Sequence, residues 1–198
     1  MSAIKKFTLW TIAVIGSETK EERHRLADYQ FIRWGLIADP IERYRLYTDE
    51  MKKLLAANPD RKSRAYQEIC SKFDYELGKI ALQMKFLKTP PEVHFRIAFE
   101  ARQNLLRTSD ESQKDEDLFY LAETRYGLIS CWLLNNSWTS DILEEAKKHV
   151  RFLSGYVAQC EKMGNKHISL PYYKQAIEEC KEFLKQPQLK RPKRTYNT

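Results

Sequence analysis

The chain has 198 residues, of which 42% are hydrophobic and 31% are charged, and its 34 Lys and Arg against 27 Asp and Glu give a formal charge of +7. This apolar fraction is enough to bury a core and excludes a wholly disordered chain. Only six glycines and seven prolines are present, too few turn residues for a many-stranded sheet, so the composition predicts long helices.

The most apolar stretch is FTLWTIAVIG, residues 7–16, which follows two lysines. This start resembles that of a signal peptide, but no small-residue cleavage site follows, and the run is too short to cross a bilayer as a helix. Its β-branched and aromatic residues favour a strand. Three conformations stay open: a short helix packed into the bundle, an extended arm on a neighbouring subunit, or a strand completed by another chain. We predict an apolar arm over residues 1–16, with three partner-binding side chains: Phe7, Trp10 and Ile12.

From residue 19 onward, capping residues and apolar spacing predict seven helices. The first begins at a capping box of Thr19 and Glu22 and carries its apolar stripe to Leu36; the second begins near Pro40 and ends at Asn58. The next three are predicted over 61–87, 91–107 and 115–134, the sixth begins at Asp141, and the seventh covers 170–185.

Two of the predicted helices have an apolar face that is expected to be buried. In the fourth, the predicted buried face is Val93, Ile97, Ala101 and Leu105. The sixth has the most regular spacing of three and four residues, which requires a partner helix alongside. Its predicted seam is Leu143, Ala146, Val150, Leu153, Val157 and Cys160.

The loops between the predicted helices are short, so consecutive helices are expected to be antiparallel neighbours. We therefore predict an all-α fold: an array or bundle of about seven antiparallel helices with an apolar N-terminal arm and a basic C-terminal tail. Residues 17–186 are predicted to form a single α-helical domain, with a sub-boundary at 108–114 left open, and residues 187–198 the tail.

One segment of about 30 residues resembles a tetratricopeptide hairpin. Its small and apolar positions are Met163, Gly164, Asn165, Tyr173, Ala176, Ile177, Cys180, Phe183 and Leu184, and Pro187 falls one place before that family's terminal proline. No second copy occurs about 34 residues upstream, and repeat architectures need about three units. The segment is therefore predicted to be an ordinary antiparallel helix pair.

The four cysteines contain no CxxC pair, which argues against a zinc module or a redox motif. Each of Cys70, Cys131, Cys160 and Cys180 falls at an apolar position of a helical pattern. We predict buried free thiols in an intracellular, reducing compartment, without distinguishing cytoplasm, nucleus and organelle interior.

No catalytic motif is found. The histidines His24, His94, His149 and His167 form no HExxH pair, and the six glycines are isolated rather than grouped in a phosphate-binding loop. We predict no catalytic, metal-binding or cofactor-binding residues, no cofactor and no enzymatic activity. An enzyme whose residues meet only in the fold stays open.

The positive charge is concentrated in two places. The tail carries +4 on Lys190, Arg191, Lys193 and Arg194, and the third predicted helix carries Arg61, Arg64, Lys72 and Lys79 with Tyr75 between the last two. Cations that displace counterions and aromatic faces that stack on bases are what nucleic-acid binding requires. These eight residues are therefore the predicted nucleic-acid-binding set, although Glu68 shares the helix face.

Among the tryptophans, Trp132 lies on an apolar face and is predicted to be core, whereas Trp34 and Trp138 are predicted to bind partners. Together these features predict a non-enzymatic structural or adaptor subunit of a larger multi-chain assembly, homo- or hetero-oligomeric, with no transmembrane span. The alternative is an RNA- or DNA-binding subunit that uses the basic face of residues 61–107 and the tail.

Overall fold

The structure, a computed structural model, describes residues 35–56, 60–84, 89–135, 138–165 and 167–185. The predicted arm at 1–16, almost all of the first predicted helix and the tail at 187–198 lie outside these ranges, as do Phe7, Trp10, Ile12 and Trp34. Within them every regular element is an α-helix and none is a strand. The six helices are α1 (Pro40–Ala56), α2 (Arg64–Leu82), α3 (Pro91–Arg107), α4 (Glu111–Asn135), α5 (Ser140–Lys162) and α6 (Leu170–Lys185).

Capping side chains explain where the helix ends differ from the prediction. Helix α2 begins at Arg64 rather than at residue 61 because Ser63 is its N-cap, and the Ser63 side chain accepts a hydrogen bond from the Tyr66 amide. Helix α4 begins before residue 115 because the Asp110 carboxylate accepts from the Gln113 amide at 3.0 Å. Residues 111–114, which precede the predicted helix start at 115, are therefore the first turn of α4, where the macrodipole favours the acidic Glu111.

The chain divides into two compact units, residues 1–131 and 132–198. In unit 1, helix α2 contacts both α1 and α3. An apolar core forms along α1 and α2, where the rings of Tyr47 and Phe73 meet edge to face with centroids 5.8 Å apart. Its buried members are Tyr47, Leu54, Ile69, Cys70, Phe73, Leu77 and Ile80.

The predicted burial of α3 is wrong at two positions. Val93 and Ile97 are 42% and 47% exposed. Leu105 is buried as predicted, and the other buried side chains are His94, Phe95, Ala98 and Arg102. This face packs inward because the Phe95 ring lies against Gly78 of α2 and Gly127 of α4, where a helix can approach closely only in the absence of side chains.

In unit 2, α5 and α6 form an antiparallel pair. Glu161 near the end of α5 bonds Lys174 in the first turns of α6, and Trp138 before α5 stacks on Phe183 near the end of α6. The predicted seam of α5 is buried from Ala146 to Cys160, with Leu143 half-buried. The turn between them is a Schellman motif: Asn165 donates to the Cys160 carbonyl, Gly164 donates to that of Glu161, and Gly164 has φ of 69°.

Candidate functional site

Helices α2, α3 and α4 of unit 1 bring four charged side chains together, three of them buried. Arg64 and Glu68 come from α2, Arg102 from α3 and Asp117 from α4. Arg102 and Asp117 are each 2% exposed, and Glu68 is also buried. Burying a charge is costly unless the group is paired and hydrogen-bonded. The contacts within this group therefore determine how well each charge is compensated.

Arg64 is the best-paired member. Its Nε donates to Glu68 Oε1 at 2.7 Å and its Nη2 donates to the Asp117 carboxylate. Burial alone would lower the pKa of Arg64, but the hydrogen bond and the negative charge of Asp117, together with Glu68, outweigh it and raise the pKa. The Ser109 hydroxyl also donates to Asp117, so this carboxylate accepts hydrogen bonds from two side chains.

Arg102 is paired less completely. Its Nη2 donates to the Glu68 carbonyl at 3.3 Å, and its Nη1 lies 3.8 Å from Asp117 Oδ1, which is beyond hydrogen-bond range. The guanidinium carbon lies 4.2 Å from the Tyr120 ring centroid. Burial lowers the pKa of Arg102, although Tyr120, Asp117 and Glu68 oppose this effect. Among the described residues, Arg102 thus combines one hydrogen bond, one longer ion pair and one aromatic contact.

Beside this group lies a cavity of about 180 Å³. Two cations, two carboxylates, two short hydroxyl side chains and three aromatic rings surround it: Ser71, Lys72, Tyr75, Glu76, Arg102, Phe119, Tyr120, Glu123 and Thr124. The carboxylates are already engaged, since Glu123 accepts from the Tyr75 hydroxyl and Glu76 pairs with Lys79 at 2.9 Å. The Lys72 amine lies 5.1 Å from the Tyr120 ring centroid, so two cations converge on one aromatic ring.

A second polar arrangement links α1, α2 and α3. His94 Nδ1 lies 3.0 Å from Asp74 Oδ1, and His94 Nε2 lies 2.9 Å from the Tyr44 hydroxyl. Because a carboxylate can only accept, His94 Nδ1–H donates to Asp74. His94 and Asp74 are buried, so this chain of hydrogen bonds ties three helices together.

The structure brings only part of the predicted nucleic-acid-binding set to this region. Arg64 and Lys79 are ion-paired with carboxylates, Lys72 lines the cavity, and Arg61 is exposed before α2. The tail residues Lys190, Arg191, Lys193 and Arg194 lie outside the described residues.

The predicted partner-binding residue that can be located is Trp138, which is half-buried in unit 2. Its ring stacks on Phe183 with centroids 5.1 Å apart and planes inclined by 20°. Its Nε1 is buried without a hydrogen-bond partner among the described residues. Trp132, predicted to be core, is buried.

Sequence reasoning missed Arg102, Asp117, Asp74 and the role of His94. The one available signal was position: Arg102 falls seven residues after Phe95, on the same side of the helix. A charged residue at such a position requires a buried partner, but only packing shows that the partners are on α2 and α4.

The four cysteines all lie in described helices and are buried free thiols, as predicted. Among the described residues, no group of three acidic, histidine or cysteine side chains is placed to hold a metal ion. None of helices α1–α6 combines the length and apolar character needed to cross a bilayer. No protein-family model, curated protein or solved structure matches the chain.

Proposed function

We propose that this chain is a non-enzymatic α-helical adaptor subunit of a larger multi-chain assembly. The observation that carries the proposal is a set of three exposed large apolar side chains near the α5–α6 turn. Met163, Ile168 and Tyr172 are 67%, 80% and 57% exposed within ten residues. Exposed large apolar side chains that lie close together are typical of protein-binding sites.

The described residues on both sides of these side chains are held by hydrogen bonds. The Schellman hydrogen bonds close α5, the Leu170 amide donates to the His167 carbonyl, and the Glu161–Lys174 ion pair joins the two helices at 2.5 Å. Residues that are held by hydrogen bonds before binding lose little conformational entropy when a partner binds. The proposal includes further partner contacts, which are the arm residues Phe7, Trp10 and Ile12, the side chains of Trp34 and Trp138, and the tail. Buried free thiols are consistent with a reducing compartment.

The test is a comparison of purified complexes. The double variant Ile168→Ser with Tyr172→Ser removes apolar contact area at exposed positions, so its thermal unfolding midpoint is expected to stay unchanged. A matched control, Glu178→Ser with Lys181→Ser, changes an exposed and a half-buried residue of α6 that pair with each other. Light scattering during size-exclusion chromatography is expected to show a complex of fixed stoichiometry for the wild type and the control. A monomeric wild type without a stoichiometric partner, or an apolar variant that keeps its partner, contradicts the proposal.

Binding of RNA or DNA by residues 61–107 and the tail has less support, because carboxylates neutralise Arg64 and Lys79. It stays a prediction with a distinct signature. Affinity for nucleic acid would fall steeply with salt concentration and weaken when the tail cations are neutralised.

A further inference from the structure

The cavity of unit 1 is lined by both buried and half-buried residues. Ser71, Arg102 and Thr124 are buried, and the other lining residues are half-buried. The half-buried residues give access from solvent, and the buried ones shield a bound molecule from water. Removal of apolar ligand surface from water is the main favourable contribution to binding in such a cavity.

The charged groups of the lining balance one another. Two cations, Lys72 and Arg102, face two carboxylates, Glu76 and Glu123. The lining therefore has no net charge that would favour an anion over a cation, or either of them over an uncharged molecule.

These charged groups also interact with their neighbours. Glu76 pairs with Lys79 at 2.9 Å, and Glu123 accepts a hydrogen bond from the Tyr75 hydroxyl. Both cations lie near the Tyr120 ring, with the amine 5.1 Å and the guanidinium carbon 4.2 Å from its centroid. An ion that enters the cavity must compete with these contacts, and a buried charge without compensation is costly. An uncharged molecule leaves the contacts intact.

The size and the aromatic rings of the cavity narrow the class of ligand. A cavity of about 150 Å³ accommodates a benzene molecule, so about 180 Å³ holds one six-membered ring with one small substituent. The rings of Tyr75, Phe119 and Tyr120 supply surfaces for stacked or edge-to-face contacts with such a ring. The Ser71 and Thr124 hydroxyls each donate to a backbone carbonyl of their own helix. A hydroxyl oxygen can accept a further hydrogen bond, so the lining is compatible with an uncharged polar substituent.

We propose that this cavity binds a small uncharged aromatic molecule of the size of phenol, with its ring packed among Tyr75, Phe119 and Tyr120. All of the lining residues belong to unit 1, so the proposal does not depend on the protein-binding surface proposed for unit 2.

The full chain is titrated separately with phenol, benzoate, benzylammonium and cyclohexanol at neutral pH, using calorimetry or ligand-observed NMR. Phenol is expected to bind saturably with a dissociation constant of about 1 mM. Benzoate and benzylammonium are expected to bind at least about tenfold more weakly, because the lining does not compensate a further charge. Cyclohexanol has the same polar group but no aromatic face, and it is expected to bind about threefold more weakly. Phenol that shows no saturable binding, or any of the other three probes that binds as tightly as phenol, overturns the proposal.

A pair of substitutions then places the binding. Phe119→Leu removes a ring from the lining at a half-buried position and is expected to weaken phenol binding about fivefold. Phe99→Leu makes the same change at a half-buried position of α3 outside the lining, and it is expected to leave phenol binding unchanged. Circular dichroism checks that both variants are folded. Phenol binding that a folded Phe119→Leu variant leaves unchanged lies elsewhere and overturns the assignment, and the titrations of the wild type test the proposal without any variant.

Discussion

The ring of Phe95 occupies the space that a side chain at Gly127 would need. A Cβ built on Gly127 would lie 2.4 Å from Phe95 Cε1, closer than such atoms approach in folded proteins, and Phe95 is fully buried. The close packing of α3 against α4 therefore depends on a glycine in the middle of a helix, although glycine disfavours helix formation by about 1 kcal/mol relative to alanine.

Gly127→Ala is expected to lower the free energy of unfolding by about 2 kcal/mol, because the buried ring cannot move without disturbing its neighbours. Gly155→Ala is the matched control. Gly155 also lies inside a helix, α5, but a Cβ there meets no atom within 4 Å. That substitution is expected to stabilise by about 0.5 kcal/mol, through the lower entropy of the unfolded chain. Denaturant unfolding measures both, and equal effects would mean that Phe95 does not set the packing.

Removal of the shared carboxylate tests the buried ionic group. Asp117→Asn keeps the shape of the side chain but takes away the negative charge that Arg64 and Arg102 face. We expect a loss of about 3 kcal/mol, because the buried Arg102 and the half-buried Arg64 then lose their shared anionic partner. Asp115→Asn makes the same change two residues away at an exposed position and is expected to cost less than about 0.5 kcal/mol. Chemical denaturation of the two variants in parallel gives the comparison, and similar losses would refute the role of Asp117.

Loss of the Tyr44–His94 hydrogen bond is expected to lower the free energy of unfolding by less than loss of the Asp117 charge. Tyr44→Phe removes the hydroxyl that lies 2.9 Å from His94 Nε2, and it is expected to cost about 1 kcal/mol. Tyr172→Phe removes a hydroxyl from an exposed ring on α6 and is expected to cost less than about 0.5 kcal/mol. Thermal unfolding of both variants checks this difference. A Tyr44→Phe variant as stable as the wild type would show that the hydrogen bond contributes nothing.

Alkaline pH is expected to destabilise the fold through its buried thiols. Burial raises the pKa of Cys70 and Cys131 from 9.0 to about 12, and that of Cys180 to about 11. Below the pKa that the thiols have in the unfolded chain, they are protonated in both states, and the fold keeps its full stability. Above it, the unfolded chain releases thiol protons that the native state keeps, so stability falls as pH rises from about 9 towards the folded values, by about 1.4 kcal/mol per pH unit for each thiol.

Denaturant unfolding at a series of pH values from 9 to 11 measures this loss. Cys180→Ala is expected to make the pH dependence shallower by the contribution of one thiol. Val150→Ala, a buried substitution on α5 without a titrating group, is expected to lower stability at all pH values and keep the slope. A Cys180→Ala slope equal to that of the wild type would contradict this origin.

Much of the helical architecture follows from local signals. Helices α3 and α6 have the predicted limits because prolines mark their starts. The predicted start of α4 at residue 115 is too late, because the polar segment 108–114 does not continue the apolar spacing, whereas Asp110 caps a first turn that begins at Glu111. Several residues near a helix start can act as N-cap, and the sequence alone does not show which of them accepts the backbone hydrogen bond.

The candidate site depends on packing that the pattern alone does not determine. Helix α3 has apolar residues on two faces, and their spacing could not decide whether Val93 and Ile97 or Phe95 and Ala98 point inward. The outcome depends on Gly78 and Gly127, which lie on other helices. The Arg102–Asp117 proximity likewise exists only after three helices have packed.

The Schellman turn between α5 and α6 has a consequence for the order of folding. Its hydrogen bonds join residues close in sequence, whereas the Arg64–Asp117 pair in unit 1 joins residues 53 positions apart. Contacts between near residues lose little loop-closure entropy and form fast, while distant pairs must wait for more of the chain to become compact. The α5–α6 turn is thus expected to form early, and the buried ionic group of unit 1 late. Substitutions at Gly164 should accordingly slow refolding, whereas substitutions at Asp117 should mainly speed unfolding.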